Sequence, residues 1–125
     1  MTPIIVRDEQ VPPDAAVVVR GGEMNSATVR RTATGSHDEY GIFSVSVFVA
    51  FDVPVEQLCH ERSELQRYRK VRLSTVDRLR SLGFALIPTL DRPHYDIVLP
   101  DLDDNTLDRL ELGFDLPIVN PGRAH

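Results

Sequence analysis

The chain has 125 residues and a formal net charge of −5, with 42% apolar and 26% charged residues. This length accommodates one domain and excludes a multidomain enzyme, while the composition is that of a globular protein and not of a disordered segment. The negative net charge argues against a protein whose whole surface is built for nucleic acid.

Cysteine usage and hydropathy indicate where the protein works. Cys59 is the only cysteine, so no internal disulfide can form, and this fits a reducing compartment. The longest apolar run, residues 42–50, is too short to span a bilayer, and the N-terminal residues lack the pattern of a signal peptide. We therefore expect a cytoplasmic protein that does not enter a membrane.

The first part of the chain predicts an arm, a strand and a helix. Residues 1–14 are mostly polar and contain two adjacent prolines, so they are expected to form an N-terminal arm. The β-branched run at 16–20 predicts a buried strand. Asn25 or Ser26 then caps a helix that extends to about Thr34.

Residues 42–50 form the clearest predicted strand, because side chains alternate between two sides. One side carries Phe43, Val45, Val47 and Val49, and the other carries Ser44, Ser46 and Phe48. Asp52 is expected to cap a helix with Pro54 in its first turn, running to about Gln66. Helical spacing of its apolar positions places Cys59 in the core.

A second strand and a short helix follow. In residues 70–74 the polar side chains of Lys70, Arg72 and Ser74 alternate with apolar ones. Thr75 begins a short helix that Gly83 ends.

The C-terminal part predicts two more strands, a helix and a tail. Residues 84–87 form a strand, and in the strand at 94–99 His94 and Asp96 lie opposite the apolar side chains. A helix capped by Asp103 or Asp104 runs through Leu112. Residues 116–125, with two prolines, are expected to form an extended tail.

Interspersed helices and alternating strands predict the fold class. A strand that alternates apolar with polar residues is covered on one face only, as in antiparallel sheets. The sequence therefore predicts an α+β fold with two layers, in which helices lie on one face of a mostly antiparallel sheet. A single domain is expected over residues 15–115.

Charge is distributed unevenly along the chain. Residues 62–80 contain seven basic and two acidic side chains, whereas residues 96–115 contain seven acidic and one basic. Two interpretations stay open: a cationic and an acidic binding surface, or two solvated faces, which could also neutralise each other across the fold. The polarised charge and the apolar tail residues 116–119 together predict a protein partner or a homodimer.

The polar strand positions supply the candidate site. If helices cover the opposite face, these side chains converge on one open, cationic surface lined with hydroxyl groups. Its predicted phosphate-binding residues are Arg20, Lys70, Arg72 and Arg92. Its predicted supporting residues are Ser44, Ser46, Ser74 and Asp96. His94 is the candidate catalytic acid or base, because histidine transfers protons near neutral pH.

The sequence predicts no metal site and no cofactor. His37, His60, His94 and His125 are scattered along the chain, and the adjacent Cys59 and His60 diverge on a helix by about 100°. Phosphate-loop, dinucleotide-binding and zinc-protease motifs are absent.

Several stretches resemble known bacterial proteins. Residues 17–22, 72–80 and 92–101 are similar to a set of small actinobacterial proteins of this length, which implies a lineage and no mechanism. More loosely, the chain resembles toxins of bacterial toxin–antitoxin modules, compact α+β proteins whose sheet face carries Arg, Lys and His. That resemblance implies metal-independent RNA cleavage.

A further resemblance is to toxins of the ADP-ribosyltransferase type, which act on NAD. Arg20 at a strand and the serines of Ser44-Val45-Ser46 on a second strand are similar to their pattern. No strand glutamate completes that pattern here.

Two functions therefore compete. In one, the chain is an interaction module, one half of a two-protein system of the toxin–antitoxin, immunity or regulatory type. In the other, His94 with Arg20, Arg72 and Arg92 cleaves RNA without a metal.

Overall fold

Helices and strands alternate along the part of the chain that the structure describes. The computed structural model describes residues 11–20, 24–89 and 93–123, and for residues 18–20 it describes the backbone alone. The strands are β1 (Ala16–Arg20), β2 (Ser44–Val49), β3 (Lys70–Thr75), β4 (Ala85–Pro88), β5 (His94–Val98) and β6 (Ile118–Val119). The helices are α1 (Ser26–Tyr40), α2 (Val55–Glu61), α3 (Ser63–Gln66), α4 (Val76–Ser81) and α5 (Asp104–Leu112).

The strands form one sheet in the order β4-β5-β2-β1-β3-β6. Every neighbouring pair is antiparallel. The predicted α+β class with an antiparallel sheet is therefore confirmed. No helix among the described ranges is long and apolar enough to cross a membrane.

Two helical segments differ from the sequence-based expectation. Asn25 caps α1 through a bond from the Thr28 N–H at 2.9 Å, but the helix continues past Thr34 and Gly35 to Gly41, whose φ of 86° ends it. Packing of its buried face outweighs the roughly 1 kcal/mol cost of a helical glycine. The helix expected from Asp52 to Gln66 is divided at Arg62, which has extended backbone angles, and it begins after Pro54.

The sheet has a core on each face. Val45, Val47 and Val49 of β2 define the first face, which packs with apolar side chains of α4, α5 and the N-terminal half of α1. The second face carries Phe48 of β2 and Val71 of β3, which pack with α2 and α3.

The helices therefore lie on both faces, and the expected arrangement with helices on one face only does not hold. The residues that cover the second face are Leu58, Cys59 and Leu65. Because this second core exists, β3 turns its apolar side chains to the second face and its polar side chains to the first.

The predicted extended tail is held against the rest of the chain. Asp115 N–H donates to the Leu73 carbonyl at 2.8 Å, and β6 pairs with β3. Fully buried Asn120 donates from Nδ2 to the carbonyl oxygens of Leu65 (2.8 Å) and Tyr68 (2.9 Å). We name residues 115–123 the C-terminal strap.

Each edge strand of the sheet has a proline at a position that points outward. The Thr89 N–H bonds to the His94 carbonyl, so Pro88 is at a position whose backbone faces away from β5. The Asn120 N–H bonds to the Arg69 carbonyl, which by the same alternation turns Pro117 away from β3. Proline has no N–H to offer to an added strand, so both edges resist strand addition.

Gly122 in the strap is required for a close approach to α2. A Cβ at this position would overlap the backbone nitrogen of His60 and the carbonyl carbon of Cys59. We expect Gly122→Ala to lower the free energy of unfolding by about 1–3 kcal/mol, measured by urea denaturation. Gly35→Ala is the control, because a Cβ there meets nothing within 4 Å and alanine favours the helix. Equal effects of the two substitutions would contradict this account.

Burial of Cys59 predicts how stability depends on pH. Burial raises the pKa of its thiol to about 11, whereas an unfolded thiol has a pKa of about 8.5. The folded state therefore retains the proton more tightly, and this stabilisation is present below pH 8.5 and lost as the pH rises to about 11. We expect the stability of the wild type to fall more steeply over this range than that of Cys59→Ala. Parallel denaturation midpoints for the two proteins would contradict the expectation.

Candidate functional site

The antiparallel pairing of β2 with β5 brings polar side chains together on the second face. The register places Ser46 opposite Asp96 and Phe48 opposite His94. The side chains of His94 and Asp96 are only 16% and 15% exposed. Two ionisable groups are thus held in a half-buried position, where each needs hydrogen-bond partners.

Thr89, immediately after β4, connects His94 to Asp96. Its Oγ1 lies 2.8 Å from His94 Nδ1 and 3.0 Å from Asp96 Oδ1, and its carbonyl oxygen lies 3.2 Å from His94 Nδ1. Asp96 Oδ1 itself is 3.9 Å from Nδ1. The imidazole is therefore held on one side by a hydroxyl, a carbonyl and a carboxylate.

These contacts determine the direction of each hydrogen bond. The Thr89 carbonyl only accepts, so the neutral imidazole carries its proton on Nδ1. The carboxylate of Asp96 also only accepts, so the Thr89 hydroxyl donates to it and accepts from His94. The basic nitrogen is then Nε2, which has no hydrogen-bond partner among the described residues.

A second chain of hydroxyl groups reaches Asp96 from the opposite side. Ser44 donates to Asp96 Oδ2 at 2.7 Å, and Ser36 of α1 donates to Ser44 at 2.6 Å. Ser46 makes a longer contact of 3.5 Å with Oδ1. Hydrogen bonding to Glu39, and the charge of that residue, raise the pKa of Tyr40, with a smaller contribution from the charge of Asp96. Asp96 accepts from Ser44, Ser46 and Thr89, and it is thus the common acceptor of the site.

An aromatic ring links His94 to a cation. The Phe48 and His94 rings meet edge to face at 5.4 Å, and the Arg62 guanidinium lies 5.4 Å from the Phe48 centroid. Arg62 also binds Glu64 at 2.9 Å, while its buried Nε has no partner among the described residues. A cavity of about 290 Å³ adjoins this group, with Arg62 and Pro93 among its lining residues.

The predicted convergence of all polar strand residues on one face is wrong. Lys70, Arg72 and Ser74 lie on the first face, opposite to Ser44, Ser46, His94 and Asp96. Residues of β1 connect the two sets: Val17 pairs with both Val49 and Ser74, which places Ser74 beside the first core. The second core, unforeseen from the sequence, is the reason for this inversion.

Arg72 has a structural role that replaces the predicted phosphate contact. Its side chain is buried and donates to the backbone carbonyls of Asp115 (2.8 Å), Phe114 (3.3 Å) and Glu111 (3.4 Å). Ser74 donates to the Gly113 carbonyl at 2.6 Å. The four carbonyls belong to the last turn of α5 and to the three residues that follow it, where the helix dipole favours a cation.

The other predicted cations are distributed differently. Lys70 is exposed on the first face. Arg92 lies outside the described residues, and so does the side chain of Arg20, whose backbone pairs with Val71. The basic and acidic segments meet at the surface of the molecule, where Arg78 binds the Asp115 carboxylate at 2.7 Å and the Leu112 carbonyl at 2.8 Å.

Three residues of this site were not predicted from the sequence. Thr89 follows a strand ended by Pro88, Ser36 lies beyond the predicted end of the first helix near Thr34 but within α1, and Arg62 enters the sequence analysis only as part of a basic segment. A hydroxyl residue after a strand is one available indication for Thr89. No indication in the sequence points to Ser36, because its contact with Ser44 depends on where α1 ends.

In comparisons with known proteins, no family model, no curated protein and no solved structure matches this chain. Among the described residues, no group of three or more potential ligands is arranged to hold a metal ion. The interpretation of the site therefore depends on its own geometry.

The structural role of Arg72 leads to a test. Arg72→Met keeps the side-chain volume but removes the donors to three carbonyls, so we expect the free energy of unfolding to fall by about 2–4 kcal/mol. Lys70→Met, on the same strand and face but exposed, should change it by less than about 0.5 kcal/mol. Chemical denaturation of both variants gives the comparison. A stable Arg72→Met protein would mean that the α5 carbonyls do not need this cap.

Proposed function

We propose that this chain is a metal-independent ribonuclease in which His94 transfers the proton. The observation that carries the proposal is the fixed Nδ1 of His94, bound by Thr89 and backed by Asp96. Such an arrangement fixes the tautomer, leaves Nε2 as the base, and stabilises the imidazolium that forms when Nε2 accepts a proton.

The hydroxyl groups at the site argue that the nucleophile belongs to the substrate. Ser44 and Thr89 are 2% and 8% exposed, and both donate to Asp96. Their oxygens are thus committed to the carboxylate and poorly placed to attack. RNA carries its own nucleophile next to the scissile phosphate, which makes it a suitable substrate class.

The reaction then requires one shuttled proton. His94 Nε2 takes the proton of the ribose 2′-hydroxyl while the 2′-oxygen bonds to the adjacent phosphorus. The bond from phosphorus to the 5′-oxygen breaks, and the imidazolium returns the proton to that oxygen. The products are a 2′,3′-cyclic phosphate and a 5′-hydroxyl, so atoms and electrons balance without an added reactant.

The charge on the phosphate requires a nearby cation. Arg62 shares the Phe48 ring with His94 on the second face, and we assign it this role in place of Arg72. Arg20 and Arg92 stay predictions as additional phosphate contacts. Guanidinium groups suit this task because they bind phosphate oxygens in a bidentate manner.

The interaction module is the second candidate function. The predicted cationic surface does not form one docking face for a partner, since Lys70 and Arg72 lie on the face opposite to His94. The observation that favours it now is a group of exposed apolar side chains at residues 112–119. An interaction surface and an acid–base site are compatible in one protein.

Purified protein incubated with end-labelled RNA tests the ribonuclease proposal. We expect fragments with 2′,3′-cyclic phosphate ends and no cleavage of the same sequence as DNA, which lacks the 2′-hydroxyl. His94→Ala should reduce the rate by about 10²–10⁴-fold, the usual contribution of an acid–base group. Thr89→Val and Asp96→Asn should reduce it less, because they act through the orientation of His94.

The control is His37→Ala, which removes an exposed histidine that stacks on Phe43. It should retain the wild-type rate. Intact RNA with the wild type, or equal cleavage by wild type and His94→Ala, would overturn the proposal. Inducible expression of both proteins, with growth and RNA integrity measured, extends the test to the cell.

A further inference from the structure

The described residues concentrate their exposed apolar surface in one short segment. Large apolar side chains that remain exposed are Leu112 (74%), Leu116 (80%), Ile118 (42%) and Val119 (63%). They extend from the end of α5 through β6, at one edge of the sheet, where Ile118 lies on the second face beside Val71 and Val119 lies on the first face beside Lys70. Scattered single apolar residues are normal on a surface, whereas a group confined to one edge indicates an interaction site. We name these four residues the apolar edge.

The apolar edge is held in place before any partner binds. The strap is tied at one end by the bond from Asp115 N–H to Leu73 and at the other by the buried side chain of Asn120. Gly122 then packs against α2 too closely to admit a Cβ. A surface that is already ordered loses little conformational entropy on binding, which favours association.

Side chains, and not added strand pairing, are the means of contact at this edge. Pro117 occupies an outward position of the strap and has no N–H, so the outer side of β6 offers Val119 as its backbone donor within residues 116–119. An incoming strand would find few hydrogen bonds. Leucine, isoleucine and valine side chains instead favour packing against a similar apolar surface.

We propose that a second copy of this chain covers the apolar edge, in a dimer with two-fold symmetry. Charged groups flank the edge: Arg69 and Lys70 are exposed beside the Val119 end, and the Asp115 side chain, 65% exposed and bound through Oδ1 to Arg78 of the same copy, is at the Leu116 end. A two-fold axis that sets the two edges antiparallel places the cations of each copy against the Asp115 of the other. The edge is therefore complementary to itself in apolar character and in charge.

Sedimentation velocity of the full chain over a range of concentrations tests this proposal. We expect the wild type to dimerise in a concentration-dependent manner, and more weakly as salt is added. Leu116→Asp introduces a charge twice per dimer and should raise the dissociation constant about 100-fold or more. Lys70→Glu should weaken the dimer by a smaller factor, through repulsion with Asp115 of the second copy.

Ala85→Asp is the matched control, since Ala85 is exposed on β4 at the opposite edge of the sheet. It should leave the dissociation constant unchanged, and circular dichroism should show that all variants fold. A wild type that stays monomeric at every concentration would overturn the proposal, and so would a dimer that tolerates Leu116→Asp. Since RNA cleavage is measured separately, failure here leaves the proposed ribonuclease function untouched.

Discussion

The register of β2 against β5 is the constraint on which the rest of the structure depends. Side chains alternate along a strand, so pairing Phe48 with His94 places Ser46 and Asp96 on the same face and sends Val45, Val47 and Val49 to the other. A slip of β5 by one residue would bury the carboxylate of Asp96 in the first core and remove Tyr95 and Ile97 from it. The apolar set therefore determines the register, and the register in turn assembles the polar site.

Asp96 illustrates how a half-buried charge is accommodated. A carboxylate removed from water needs donors, and here three hydroxyl groups supply them: Ser44 and, at longer range, Ser46 in β2, and Thr89 after β4. Because each of these hydroxyls donates its proton to Asp96, its oxygen is left to accept a hydrogen bond. Ser44 accepts from Ser36, and Thr89 accepts from His94. The same bonds that stabilise the carboxylate thus position the imidazole.

The uneven charge of the chain serves the fold to a large extent. Arg72 and Arg78 come from the basic segment, and both bind backbone carbonyls at the end of α5 or just beyond it, where the helix dipole attracts cations. In the ion pair between Arg78 and Asp115 the basic and acidic segments also neutralise each other. Arg62, by contrast, lies over Phe48 on the face that carries His94, and it is the cation of this segment that the proposed reaction uses.

By itself the sequence determined the local elements, since strand alternation and caps such as Asn25 and Thr75 depend on neighbours along the chain. It also singled out His94, Asp96, Ser44 and Ser46, which the structure brings together. Tertiary structure alone decided which face each strand presents. The sequence shows that Val71 and Leu73 share a side, but only the position of α2 and α3 shows that this side is the second face. Arg72 and Ser74 consequently point to the first face, and the role of Arg72 follows from where α5 ends, because long-range packing is not encoded in any local pattern.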